Sequence, residues 1–195
     1  MTELILVRHA APTINPATPS ADWALAPEGH KAAANLGRAL APFAPGILVS
    51  GAEAKTIGTA AAIGGQLGLA NQPLAGLEEH ARRSAAFGDR AAFEASIQAL
   101  FARPTEVVYG EESADATFAR FAAAIEGVLA SAGGASVIAV SGGTAISIFM
   151  ARRLGIDPFS FWKALRLPQA FFLFTAPWRL EKTLWARPLR PPGPA

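Results

Sequence analysis

Two kinds of hydrophobic run alternate along this chain. Continuous apolar stretches ended by a breaker predict buried strands, and apolar residues three and four apart predict helices. Leu4-Ile5-Leu6-Val7 runs into Arg8-His9 and is stopped by Ala10-Ala11-Pro12, which reads as a strand covered on both faces. Gly46 to Ser50 predicts a second short strand, Gln72 to Ala75 an extended piece, and Val137 to Ser141 another buried strand. Between them lie helical stripes. Pro27-Glu28 opens a helix to about residue 42, with Ala33, Leu36, Leu40 and Phe43 inward. A second helix spans about Ala52 to Leu67, with Ile57, Ala60, Ala61, Ile63 and Leu67 on its stripe. Residues 90 to 103 carry Phe93, Ile97, Leu100 and Phe101; Ser113 to Ser131 carries Phe118, Phe121, Ile125 and Leu129. Gly142-Gly143-Thr144 turns the Val137 strand into a helix reaching about Leu154, and a short helix covers Phe159 to Leu165. Ala170 to Ala176 and Trp178 to Ala186 predict a hairpin at a sheet edge. Strands alternating with helices make this an α/β chain.

In an open α/β sheet the ligand crevice lies beyond the carboxyl ends of the strands. Arg8 and His9 stand at such an end. Arginine offers a planar fork that matches phosphate oxygens, and histidine beside it is a nucleophile or an acid/base group. The same pair also suits local hydrogen bonding at a strand end. Asn15, in the Pro-rich loop Ala10 to Asp22, either donates its amide to a ligand at that edge or forms a turn. Lys55 falls in the first turn of the second helix, where a cation is unfavourable, so it is either solvated or held for an anion. The stretch Gly76 to Arg83 mixes both charges, and its Glu79 is either a solvated loop residue or a carboxyl acid over the crevice. His80 and His30 read as surface residues.

Composition narrows the class. A chain of 195 residues fits one domain burying roughly 70% of its unfolded surface. Half of it is hydrophobic, and the net charge of +2 without Lys/Arg runs argues against nucleic acid while allowing a local pocket for an anion. With no cysteine and three histidines, neither a thiolate nor a metal site is expected, and no cofactor is implied. Glu3 and the absence of a basic leader give no sign of a signal peptide. The run from Val137 to Met150 is interrupted and too short for a bilayer, so a cytoplasmic protein with no membrane partner is expected. One domain should span residues 1–187, followed by a flexible Pro-rich tail at 188–195. If Phe171 to Phe174, Trp178 and Trp185 are exposed, they offer a homodimer contact; otherwise they belong to the core.

The succession of motifs resembles the histidine phosphatase superfamily, the phosphoglycerate-mutase-like fold. Leu6-Val7-Arg8-His9-Ala10 is similar to its strand-end Arg-His-Gly signature, and the spacing to Asn15 agrees. Trp23 to Gly29 with Ala33 resembles the family's Leu-Thr-x-x-Gly-x-x-Gln-Ala helix opening. Val49-Ser50-Gly51, Lys55 and Thr59-Ala60 resemble its Ser-Ser-x-Leu-x-Arg-Ala-x-Gln-Thr-Ala block. Leu77-Glu78-Glu79 resembles the Leu-x-Glu carrying the acid, and Gly110 to Ser113 with Arg120 resembles the Gly-Glu-Ser segment and its later Arg. Val137 to Thr144 resembles the final strand with Ser-His-Gly-Gly. The resemblance implies a three-layer α/β/α sandwich around a mostly parallel sheet, with a cap insertion at about 76–112.

It also implies roles. His9 is the nucleophile that becomes a phosphohistidine, Arg8 a phosphate fork, Asn15 a supporting donor, and Glu79 the acid for the leaving oxygen, with Glu78 second. Two positions depart from the family: Lys55 replaces the second Arg, keeping charge but losing the bidentate fork, and Gly142 stands where a second His is expected. Losing a preorganised donor costs about 3 kcal/mol of transition-state stabilisation. The Gly142-Gly143 turn at a helix N-terminus either cradles the anion with bare N–H groups or serves only the turn. Two functions are thus expected: a weak phosphate-monoester hydrolase, or a lapsed member that binds a small phosphorylated molecule or partner without turnover. Gly142→His is expected to raise turnover if the rest of the pocket is competent.

Overall fold

The computed structural model describes residues 4–85 and 88–185; the tail expected at 188–195 lies outside them. In chain order the elements are β1 (Leu4–Arg8), α1 (Pro27–Leu40), β2 (Ile47–Ser50), α2 (Ala54–Leu67), β3 (Asn71–Pro73), α3 (Arg90–Ala102), α4 (Ala114–Ser131), β4 (Val137–Ser141), α5 (Gly143–Leu154), α6 (Pro158–Ala164), β5 (Gln169–Thr175) and β6 (Trp178–Trp185). Short 3-10 turns at Ser20–Asp22 and Ala41–Phe43 complete the loops around α1. The strands form one sheet in the order β3-β2-β4-β1-β5-β6, in which β1 to β4 run parallel and β5 and β6 run antiparallel.

The continuous apolar strands are covered on both faces, as their pattern requires. In β1, Leu4 and Leu6 join Phe121, Ile146 and Phe149 from α4 and α5, while Ile5 and Val7 join Leu36, Leu40 and Ile63 from α1 and α2. β4 divides in the same way, Val137 and Ala139 to one side and Ile138 and Val140 to the other. This gives three layers with the sheet in the middle. Parallel register places Arg8 opposite Ser141 and Ser50 opposite Val140, so the carboxyl ends of β1, β2 and β4 share one edge. Among the described residues, no helix is long and apolar enough to cross a membrane.

One alternative is decided and one expectation changes. Phe171, Phe172 and Leu173 are buried in the core because β5 pairs with β1 inside the sheet, whereas Phe174 and Trp178 are half-buried and Trp185 is exposed. The stripe of α2 is also rotated: Ile57 and Ala61 are exposed, whereas Lys55, Thr56 and Thr59 are buried with Ala60 and Ile63. Each of those polar side chains is satisfied by hydrogen bonds at the sheet edge, and that is what permits their burial.

Candidate active site

β1 delivers His9 to the shared edge, where its N–H donates to the Ser141 carbonyl at 3.0 Å. The next residue is pinned from α2: the Ala10 N–H donates to Thr59 Oγ1 at 2.9 Å, and that hydroxyl donates to the Lys55 carbonyl at 2.7 Å. The imidazole is itself fixed, with Nδ1 2.8 Å from the Ala10 carbonyl. A carbonyl only accepts, so Nδ1 carries the proton and Nε2 bears the lone pair. Burial, then the Lys55 ammonium and the Arg8 guanidinium, push the ring's pKa down to about 3 against the pull of the Ala10 carbonyl. At neutral pH His9 is therefore a neutral imidazole beside two cations, and the residue is only 7% exposed.

Lys55 is buried in the first turn of α2, and its Nζ donates to the Ser20 carbonyl at 2.6 Å. Burial lowers its pKa, with Glu53 and Glu79 opposing. Glu53, the residue before α2, was not singled out from the sequence. It is a buried carboxyl whose Oε1 accepts from the Glu79 N–H at 2.6 Å and whose Oε2 lies 3.3 Å from Thr56 Oγ1. Burial raises its pKa, with Lys55 and the Glu79 amide pulling the other way. No motif marks Glu53; only its placement two residues before Lys55 could have drawn attention to it.

Glu79 departs from its expected role. Its Oε1 accepts from the N–H groups of His80 at 2.8 Å and Ala145 at 2.7 Å, and its Oε2 from Thr144 at 3.0 Å. Arg82 Nη1 lies 3.8 Å from Oε2. Burial alone would raise this carboxyl, but Arg82 and the amides of Thr144, Ala145 and His80 prevail and bring it down to about 2. Glu79 is thus a fixed anion on the first turn of α5, a poor source of protons at neutral pH. The bare N–H groups expected to cradle a phosphate behind Gly142 and Gly143 are, at Thr144 and Ala145, already taken by this carboxylate.

The two glycines now have a steric explanation. A Cβ at Gly142 would lie 2.4 to 2.6 Å from the Cδ, Oε2 and Cβ of Glu79, so the space that a side chain would fill holds the docked glutamate. A Cβ at Gly143 would lie 2.9 Å from Arg8 Nε. The Arg8 guanidinium therefore packs on the turn itself; its Nε is buried without a hydrogen-bond partner. Burial and Arg82 lower the pKa of Arg8 to about 10, with Glu79 opposing.

The segment bearing Glu79 is held from below by Arg120 of α4, which donates to the carbonyls of Gly76, Glu78 and Glu79 and to both carboxylate oxygens of Glu112, at 2.6 to 3.0 Å. Glu112 in turn accepts from the Ala81 N–H. Glu78, the second candidate acid, lies 3.7 Å from Arg120. Above the segment lies a cavity of about 710 Å³, with Lys55, Glu53, Glu79, His80 and Arg82 on its wall. Arg8 and His9 are not among the residues that line it. Asp22 and Arg83 also line the cavity and form a two-pronged ion pair at 3.2 and 3.0 Å. Two further residues differ from expectation. Asn15 is exposed, and its Oδ1 accepts from Ala17 within its own turn. His80, expected at the surface, is buried and bonded through Nε2 to the Glu112 carbonyl at 2.9 Å, because the Glu79 segment folds inward. His30 is exposed. Among the described residues, no group of three His, Asp or Glu could hold a metal ion.

The neutral imidazole of His9 and the Arg8 guanidinium thus stand together at the carboxyl edge of a mostly parallel sheet. The chain matches the histidine phosphatase superfamily (branch 1) over residues 4–171, and it belongs to that family. No curated protein matches it in sequence. Among solved structures it resembles a chain described as mycobacterial hydrolase 1, with 21% identity over 96% of this chain and 99% of the other, at a TM-score of 0.74. A mycobacterial glucosyl-3-phosphoglycerate phosphatase, solved with inorganic phosphate, shows 21% identity over 96% and 98%, at 0.72. A phosphoserine phosphatase variant from Entamoeba histolytica shows 17% identity over 97% and 100%, at 0.75. At these identities the likeness establishes the fold.

Proposed function

We propose that the protein hydrolyses small phosphate monoesters through a phosphohistidine at His9. The observation that carries this reading is the tautomer: the Ala10 carbonyl holds the proton on Nδ1, and burial beside Lys55 and Arg8 keeps Nε2 unprotonated. That nitrogen attacks phosphorus, a P–N bond forms, and the bond to the leaving oxygen breaks. Arg8 and Lys55 neutralise the phosphoryl oxygens. Glu53, the buried wall carboxyl whose pKa is raised, gives its proton to the leaving oxygen. A water then attacks the phosphohistidine, returns a proton to Glu53, and releases phosphate.

The test is hydrolysis of an aryl phosphate by the wild type and by His9→Ala, with acid-labile, alkali-stable label sought on His9. Activity lost in the variant and label on the wild type are expected; equal activity in both overturns the reading. A second reading, phosphoryl binding without turnover, draws on the Glu79 carboxylate standing where a side chain at 142 would be. It predicts two inert proteins whose melting temperature nonetheless rises with added phosphate.

A further inference from the structure

We infer that Arg82 is the third cation of the phosphoryl site, taking over the charge that position 142 does not carry. This rests on the phosphoryl-site reading above. Arg82 comes from the segment that follows Glu79, yet its Nη1 lies 3.4 Å from Thr144 Oγ1, at the first turn of α5. Arg8 packs on the adjacent residue of the same turn, Gly143. The two guanidinium groups therefore flank residues 143 and 144, one from β1 and one from the cap segment. Arg82 is also held in place: its Cζ lies 5.3 Å from the centre of the Phe93 ring, and its side chain is 15% exposed on the cavity wall.

Charge bookkeeping gives Arg82 its function. Arg8 and Lys55 face two carboxyls, Glu53 and Glu79. Ionised, those carboxyls cancel both cations; with Glu53 protonated, one positive charge is left for a phosphomonoester that is nearly dianionic. Arg82 makes the enclosure cationic in both states. Its planar fork reaches from the cavity side toward an anion lying against Arg8, while the α5 amides remain occupied by Glu79.

The experiment measures orthovanadate and inorganic phosphate binding by calorimetry on the full chain, with Arg82→Ala, Arg82→Lys and Arg82→Gln beside the wild type. Arg82→Ala and Arg82→Gln are expected to weaken both anions at least tenfold, and Arg82→Lys about threefold. With an aryl phosphate, KM should rise more than kcat falls. Arg82→Gln keeps the stem over Phe93 and serves where the alanine variant loses its fold. Unchanged affinity in a folded Arg82→Gln or Arg82→Ala overturns the inference and leaves the phosphoryl site standing; a lowered melting temperature with unchanged affinity does the same, since it assigns Arg82 to holding Glu79. If the wild type binds neither anion, both this inference and the reading beneath it fall.

Discussion

Replacing Gly142 by alanine tests how the site is assembled. The added Cβ would come within 2.4 to 2.6 Å of the Cβ, Cδ and Oε2 of Glu79, so the whole residue, carboxylate included, must withdraw from the turn or the turn must deform. Leaving forfeits the Thr144 and Ala145 hydrogen bonds, each worth about 1.5–3 kcal/mol when made to a charged group. Part of this is regained as the displaced carboxylate meets water. Deforming the turn costs about 1–3 kcal/mol by overpacking. The two ranges meet at about 3 kcal/mol, the loss expected for Gly142→Ala. With Glu79→Gly already present all three contacting atoms are gone and the methyl has room, so the same change should cost less than about 1 kcal/mol, the scale of a glycine-to-alanine change at a helix N-cap. Chemical denaturation of the two single variants and the double variant at neutral pH should therefore yield a coupling of about 2 kcal/mol. Additivity within about 0.5 kcal/mol would refute the account, because residues in contact must couple and distant ones do not. The same geometry reverses the expectation for Gly142→His: an imidazole cannot occupy that space while Glu79 is docked, so the single variant gains no turnover. A gain is to be sought only with Glu79 removed as well.

Glu53→Gln should stabilise the protein at neutral pH and slow turnover at least tenfold. Its folded pKa is raised, so its contribution to stability is lost as pH rises through that value, and the amide removes the loss; a turnover equal to wild type would exclude it as the proton donor. Arg120→Met severs the bonds to the Gly76, Glu78 and Glu79 carbonyls and leaves Glu112 unpaired, and a loss of about 3–5 kcal/mol in chemical denaturation is expected. Acidification should destabilise the chain in two stages. His9, lowered from 6.5 to about 3, and Glu79, lowered from 4.5 to about 2, both take up protons in the unfolded chain first. Stability is therefore complete above pH 6.5 and falls toward pH 2, at up to about 1.4 kcal/mol per pH unit for each group. His9→Asn should flatten the part between pH 6.5 and 4.5, leaving a residual slope from His80, whose pKa burial also lowers; an unchanged slope would show that His9 is not held neutral.

The elements were legible because local signals agreed with tertiary fate. Val137 to Ser141 is a strand with the bounds its apolar run suggested, and α1 and α4 begin where Pro27 and Ser113 place them. The rotated face of α2 was not legible. Hydropathy places Ile57 inward and leaves Lys55 open between solvent and an anion, but Lys55, Thr56 and Thr59 are buried instead, bonded to the carbonyls of Ser20, Gly51 and Lys55. The site divides in the same way. Arg8, His9 and Lys55 are fixed by strand ends and a helix start, which periodicity locates. Glu53, His80 and Arg82 depend on how the cap segment folds back over the edge, which is set by Arg120, 38 or more positions further along the chain.

Glu79 shows how a glycine at 142 shapes the rest of the sheet edge. A helix N-terminus at the carboxyl edge of a sheet presents unsatisfied N–H groups and a positive dipole end, so it draws the nearest anion. Without a side chain at 142, the nearest anion is Glu79, and it reaches the amides of Thr144 and Ala145. Once there it is held as an anion, and on the proposed mechanism the proton for the leaving oxygen comes instead from Glu53, whose pKa burial raises. It also occupies backbone donors, so on the proposed reading the phosphoryl oxygens are met by side-chain cations alone. On that reading the glycine at 142, proton donation by Glu53 and the Arg82 guanidinium form one arrangement, and changing any of them in isolation should be felt by the other two.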